Sequence, residues 1–217
     1  MNVIAFNGSP RKKNWNTVTL LESALKGAAA AGAETELVNL YDLSFSGCIS
    51  CFSCKKRNRK LDGVCAVNDD LTPVLERVRN ADVLIVGTPV YYGAESAATR
   101  ALLERLLFPY NNYSKDLKSQ FPRVISTALI YTMNVGLEDV KNYGYEQHFN
   151  LTKTMLDRHF GPCELFLSVD TMQYSDYSKY ESEKFDAEAK LKHHKEIFPQ
   201  ECEKAFDMGK RLVTNPA

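Results

Sequence analysis

The sequence predicts an α/β protein with a parallel sheet of five strands and helices on both faces. Three observations carry this. Short apolar strands alternate with helical stretches along the chain. Residues 82–87 (DVLIVG) form an apolar run, as expected of a strand covered on both sides, and 123–131 (RVISTALIY) reads as another buried strand. The chain also opens on a strand–loop–helix unit, in which the apolar run MNVIAF breaks at Asn7-Gly8-Ser9-Pro10 before a helix begins.

The elements follow in order. After the opening strand, residues 20–31 are Ala/Leu-rich and helical, ending near Gly32. Residues 34–40 (ETELVNL) alternate as a strand. Residues 41–68 lack periodicity and carry four cysteines. Asp69-Asp70 can cap a helix over 71–80, with Pro73 tolerated in its first turn. Strand 82–87 leads through Thr88–Gly93 to a helix over 96–107, which sets Leu102, Leu103, Leu106 and Leu107 against Arg100, Glu104 and Arg105. A polar, aromatic insertion spans 108–122. Strand 123–131, a loop at 132–136, a helix over 145–160 and strand 163–169 (CELFLSV) complete the alternation. A Tyr/Ser-rich loop at 170–183 precedes a charged helical region over 185–212, interrupted at Pro199. Crossovers in such a sheet are right-handed.

Composition narrows the function classes. The 217 residues include 27 basic and 27 acidic side chains, which argues against an electrostatic nucleic-acid footprint. No run of about 18 apolar residues predicts a membrane span, and no charged start with an apolar signal core is visible. The chain is therefore expected to be cytoplasmic, with its six cysteines acting as thiols, metal ligands or redox groups rather than disulfides.

Ligands of parallel α/β sheets bind beyond the C-terminal strand edges. Three loops leaving those edges have unusual chemistry: Gly8–Thr17, Thr88–Gly93 and 132–136. The first is suited to a phosphate. Helix N-terminal N–H groups and the helix dipole favour an anion, Ser9, Asn16 and Thr17 offer donors, and Gly8 permits close backbone approach. Neither G-x-G-x-x-G nor G-x-x-x-x-G-K-[ST] is present, so a mononucleotide phosphate is favoured over a dinucleotide or ATP. The competing reading is an ordinary capped β–α turn with Asn16 or Thr17 as N-cap. Tyr91 and Tyr92 either stack on a planar ligand or merely cap the sheet edge.

The cysteines allow three readings. Cys48, Cys51 and Cys54 recur every third residue, the spacing by which a short loop wraps one face of a cubane cluster. Cys65, beyond the basic stretch 55–60, can supply a fourth thiolate. Zinc competes, although its usual signature has two separated C-x-x-C pairs. The third reading is a set of reduced thiols packed in a loop. Cys163 reads as core, and His148, His159, His193 and His194 lack metal-ligand spacing.

Asn7-Gly8-Ser9-Pro10-Arg11 with Asn16-Thr17, then Cys48-x-x-Cys51-x-x-Cys54, then Cys65-x-x-x-Asp69-Asp70, then Gly87-Thr88-Pro89-Val90-Tyr91, resemble the flavodoxin-like NAD(P)H-dependent FMN reductases, and within them the iron–sulfur flavoproteins. The resemblance covers about the first half of the chain. Trp15 departs from it, standing where relatives commonly carry a small residue, and the interval from Cys54 to Cys65 is longer than in cluster-binding relatives.

The resemblance implies a flavodoxin-like sheet of order 2-1-3-4-5 in a single domain over 1–217, with a cysteine loop at 44–69, an insertion at 108–122 and a helical extension at 184–217. It implies FMN at the three loops. Ser9, Arg11, Asn16 and Thr17 would hold the phosphate, Pro89, Val90, Tyr91, Tyr92 and Gly93 would border the ring, and Thr132, Met133 and Asn134 would close the far side. Backbone N–H groups of 90–93 and 133–136 are candidates to bond the ring. Segments 108–121 and 170–180 would form a lid or a dimer contact. Cys48, Cys51, Cys54 and Cys65 are the candidate metal ligands, for a [4Fe-4S] cluster.

The expected function is an oxidoreductase that takes hydride from NAD(P)H, a transient reductant, onto FMN. Electrons would pass to a small acceptor such as a quinone or flavin, or to an iron–sulfur centre. The alternatives are an iron–sulfur flavoprotein carrying electrons between proteins, and a nucleotide- or metal-binding regulatory module. A homodimer or higher homo-oligomer is expected, because a second subunit can supply an aromatic wall to such a site.

Overall fold

The computed structural model describes residues 1–57, 63–113 and 119–217. Its strands are β1 (Asn2–Asn7), β2 (Glu34–Asn39), β3 (Val83–Tyr91), β4 (Ala94–Glu95), β5 (Ser126–Thr132) and β6 (Cys163–Ser168). Its helices are α1 (Asn16–Ala30), α2 (Thr72–Val78), α3 (Ala97–Leu107), α4 (Leu137–Asn142), α5 (Tyr145–His159), α6 (Ala187–Glu196) and α7 (Phe198–Thr214). Among the described residues the sheet has order β2-β1-β3-β5-β6 with every neighbour parallel, which is the expected 2-1-3-4-5 arrangement.

Two strand features were not expected. β3 continues past Gly87 because Thr88 and Pro89 keep their register with Tyr131 and Thr132 of β5. The chain then reverses at Tyr92-Gly93, both at positive φ, and β4 returns antiparallel along the end of β3. The short α4 was also not foreseen. The helical break in the C-terminal region falls at Ile197, and Pro199 lies in the first turn of α7, where its missing N–H removes no helical bond.

Alternate side chains of the central strands build two cores. Ile4, Phe6, Leu84, Val86, Leu129 and Tyr131 pack with residues of α2, α3 and α5. Val3, Ala5, Val83, Ile85, Ala128 and Ile130 pack with α1 and α7. The C-terminal extension thus covers one face of the sheet beside the first helix. Their contact is backbone to backbone: a Cβ at Gly209 would lie 1.8 Å from the Ala24 carbonyl oxygen, and one at Gly27 would lie 1.9 Å from that of Phe206. The expectation that insertion aromatics form a lid fails for Tyr110 and Phe121. Both are buried, packed edge to face with each other and with Phe160.

Arg105 also departs from expectation. It was placed on the polar face of α3, yet it is 1% exposed. The cysteine loop folds over that side of the helix and supplies partners. Arg105 donates to both Asp69 carboxylate oxygens, at 2.7 and 3.1 Å, to the carbonyls of Ser46 and Val67, and through Nε to Cys65 Sγ at 3.0 Å. Burial raises the Asp69 pKa, but the Arg105 guanidinium outweighs it and holds the carboxyl below its ordinary value.

A buried carboxylate anchors the reversal after β3. Glu95 Oε1 accepts from the Tyr131 hydroxyl at 2.5 Å and the Thr152 hydroxyl at 2.8 Å, while Oε2 pairs with His148 Nε2 at 2.7 Å. One side chain thus ties the tyrosine-bearing turn to β5 and α5. Burial opposes the charge, but the bonds from Tyr131, His148 and Thr152 prevail and leave the Glu95 pKa below its ordinary 4.5.

Two outcomes follow from this packing. Gly209→Leu is expected to force α1 and α7 apart at a cost of about 3 kcal/mol, read as a lowered urea midpoint with an unchanged m-value. Glu95→Ala is expected to cost about 3 kcal/mol by stranding the Tyr131 and Thr152 hydroxyls. Because the folded-state pKa of Glu95 is depressed, its ionised form stabilises fully above 4.5 and the advantage is lost as pH falls through the folded value. The stability gap between wild type and Glu95→Gln is therefore expected to be constant near neutrality and to close in acid, measured by urea titration across pH.

Candidate functional site

The C-terminal strand edge is shaped first by Gly8. Its N–H donates to the Gly87 carbonyl at 2.8 Å, and its carbonyl accepts from the Ser96 hydroxyl at 2.6 Å. A Cβ there would stand 1.8 Å from Thr99 Oγ1. The hydroxyls of Thr88, Ser96 and Thr99 bond one another in the same place. The first loop is thereby locked against β3 and the start of α3.

Beyond Gly8, Asn7 Oδ1 accepts the Ser9 N–H, and Ser9 Oγ accepts the Arg11 N–H. The loop enters α1 at Trp15, which is the N-cap residue with extended backbone. Neither Asn16 nor Thr17 caps, so the capped-turn reading fails. Among the described residues no side chain caps α1, and its first turn holds no acid. Its leading N–H groups and its dipole are left to attract an anion.

Ten of the twelve residues expected at a cofactor line one cleft at this point. Ser9, Arg11, Asn16 and Thr17 meet Pro89, Val90 and Tyr91 on one side and Thr132, Met133 and Asn134 on the other. Tyr92 and Gly93 do not line it. Tyr92 is fully exposed, and Gly93 turns toward the Tyr145 ring, where a Cβ would lie at 2.8 Å. Trp15, Thr171, Met172 and Gln173 complete the wall. Segment 170–180 was expected as a lid, and its start does border the cleft, whereas no described residue of 108–121 does.

The cleft is small and cross-braced. Its volume is about 140 Å³, room for a phosphate and the chain leading from it but below the roughly 300–1,000 Å³ of a complete small-molecule pocket. Arg11 stacks on Trp15, with Cζ 3.8 Å from the ring centroid, and donates to the Gln173 carbonyl at 2.8 Å. Asn16 donates to the Met172 carbonyl at 2.9 Å, Thr17 and Thr132 hydroxyls meet at 2.7 Å, and Asn134 donates to Gln173 Oε1 at 2.8 Å. The Met133 N–H donates to the Ser168 carbonyl, so it is removed from the expected set of ring-binding amides. Lys190, buried at the start of the C-terminal extension, donates to the Asn134 carbonyl and to Asp170 Oδ1. It holds the third loop from beneath. Sequence reasoning had no signal for Lys190, because nothing local marks its long-range partners.

The four candidate metal ligands converge elsewhere. Cys48, Cys51, Cys54 and Cys65 line one small cavity with Glu104 and Arg105. Its volume is about 10 Å³, and among the described residues no three His, Cys, Asp or Glu side chains stand close enough to share an ion. The thiols are thus gathered but not arranged as ligands, and the donors do not fit a cluster as they stand. Residues 58–60 of the basic stretch lie outside the described residues.

An iron–sulfur flavoprotein of Methanocaldococcus jannaschii is 39% identical over 105 residues, 48% of this chain and 51% of the relative. One from Archaeoglobus fulgidus is 35% identical over 105 residues, 48% of each chain. The chain spans about half the length of the curated relatives it matches. Among solved structures, the NAD(P)H:quinone oxidoreductase of Methanothermobacter marburgensis superposes with TM-score 0.70 at 16% identity, over 97% of this chain and 98% of the other. An FMN-dependent NADH-azoreductase of Bacillus anthracis gives 0.67 at 10% identity, over 98% and 100%. These likenesses show the flavodoxin-like fold. The model of the NADPH-dependent FMN reductase family matches residues 1–121, more than half of the sequence, and the chain belongs to that family.

Proposed function

We propose that the chain is an FMN-dependent oxidoreductase that takes reducing equivalents from NAD(P)H and delivers them to a small acceptor such as a quinone or flavin. The observation that carries the reading is the convergence of ten residues from three strand ends, their loops and the start of α1 on one cleft at the uncapped N-terminus of that helix. That donor set fits a phosphomonoester: hydroxyls from Ser9 and Thr17, the Asn16 amide, leading helix N–H groups and the Arg11 guanidinium. FMN, when bound, supplies hydride acceptance and one- or two-electron release.

The chain's own residues have three tasks. The first loop grips the phosphate. Pro89, Val90 and Tyr91 form a rigid side wall, with Tyr91 half-exposed and Tyr92 beyond it. The N–H groups of 134–136 and of the turn at 90–93 are the donors for the ring edge. The cleft is too shallow to enclose a tricycle, so the ring would rest on the tyrosine turn with one face open to nicotinamide. In this reading a second copy of the chain closes the open side as a homodimer.

A second reading, an iron–sulfur flavoprotein that passes electrons between proteins, is favoured by the convergence of Cys48, Cys51, Cys54 and Cys65 on one cavity. The buried Arg105 donates to Cys65 Sγ at 3.0 Å at the edge of this cavity. Ligation would require the loop to open.

Protein purified without oxygen is expected to be yellow and to bleach with NAD(P)H in the absence of any other reductase. A colourless preparation that takes up no added FMN ends the first reading. Thr17→Val is expected to weaken FMN binding about tenfold through loss of a charge-assisted hydrogen bond, measured by fluorescence quenching. For the second reading, iron analysis is expected to give about four irons per chain, and Cys51→Ala is expected to lose that iron while keeping FMN. Iron-free yellow protein leaves the four thiols without a metal role.

A further inference from the structure

We propose that a second cavity, sharing no lining residue with the cleft at α1, binds an aromatic carboxylate that carries a further polar substituent. The cavity lies between the cysteine loop, α3 and the end of α5, and its volume is about 440 Å³, within the range of small-molecule sites. The proposal does not rest on FMN binding, because the two sites have separate walls.

Its lining sorts by chemistry. Leu103, Leu107 and Met155 form an apolar base. Phe52, Phe108 and Tyr113 form an aromatic wall, with Phe108 edge-on to Phe52 at 5.9 Å and to Tyr113 at 6.4 Å. Phe52 and Tyr113 are exposed, so these rings are not mutually buried, and the Lys55 ammonium, 4.9 Å over the Phe108 ring and 5.8 Å from that of Tyr113, adds a cation to the wall that a planar guest would meet. Arg100 and Arg158 are exposed at its edge. Among the described residues Arg158 makes no ion pair, and Arg100 only reaches Glu95 at 4.0 Å. The one carboxylate in the lining, Glu104, already accepts the Cys48 N–H at 3.0 Å. The edge therefore favours an anion.

The inner polar group is His159. It is 8% exposed, lines the cavity, and its Nδ1 is buried with no hydrogen-bond partner among the described residues. Such unmet polar atoms are uncommon in native interiors. Burial, reinforced by Arg158 and Lys55, lowers its pKa to about 4, so the ring is neutral near pH 7. A neutral imidazole both donates and accepts, and a turn of the ring about its Cβ–Cγ bond would bring the buried Nδ1 to a hydroxyl or carbonyl on the guest. A carboxylate at the arginine edge, an aromatic body against Phe108 and a hydroxyl toward His159 satisfy all three surfaces at once.

The test uses the full chain, with and without added FMN, and 2-naphthoate and 6-hydroxy-2-naphthoate as probes in calorimetric titrations. The expected result is one saturable site per chain, undisturbed by FMN, with the hydroxylated probe bound about fivefold more tightly. Met155→Trp, which fills the cavity, is expected to weaken both probes by more than about tenfold. Arg158→Gln, a surface change that spares folding, is expected to weaken both about fivefold. His159→Phe is expected to erase the preference for the hydroxyl. The proposal is overturned by no saturable binding up to about 1 mM, by displacement with FMN, by affinities that Arg158→Gln leaves unchanged, or by a hydroxyl preference that survives His159→Phe. Should Met155→Trp fail to fold, the Arg158 and His159 variants decide alone.

Discussion

The loop after the first strand depends on a contact that only glycine can make. Gly8 lies so close to Thr99 that any side chain would collide, and its amide and carbonyl are held by Gly87 and Ser96. The three neighbouring hydroxyls satisfy one another, so this crowded spot leaves them no unmet polar group. From there the chain has one path to the start of α1, and that path sets the mouth of the cleft. The second loop is fixed independently, by Glu95 returning under Tyr131 and Thr152. The third is fixed by Lys190. Each of the three loops therefore has its own buried anchor.

Most of this architecture was legible because its causes are local. Apolar runs such as 82–87 state their burial directly, and the parallel direction of the strands follows from their alternation with helices, whereas their order came with the family resemblance. The cleft was legible because free N–H groups and the dipole are concentrated at a helix start, and Ser9, Asn16 and Thr17, named from that position, all line it. What could not be read has non-local causes. Arg105 looks like a solvent residue on a helical wheel, and only the cysteine loop crossing over α3 buries it. Trp15 takes the cap position because Asn14, at positive φ, turns the chain before α1 begins. Tyr110 and Phe121 resemble loop residues but meet Phe160 across the fold.

The cysteine loop connects the two regions of interest. It brings four cysteines to a small cavity that Arg105 also lines, where Cys65 Sγ accepts from Arg105, and it supplies Cys48, Ser50 and Phe52 to the larger cavity. Ser50 and Phe52 both stand at positive φ, a conformation that non-glycine residues adopt at some cost. The backbone there is held by its neighbours rather than by its own preferences. A change of state at the thiols would bear on the shape of the aromatic wall, since Phe52 belongs to both surfaces.

The bond from Lys190 to the Asn134 carbonyl has a consequence for how this sequence can drift. A cation on α6 supports the backbone at the middle of the third loop, so the two segments are not independent in inheritance. A descendant that shortened its tail would have to place a new positive group beneath the same carbonyl, or reshape that turn, in the same step.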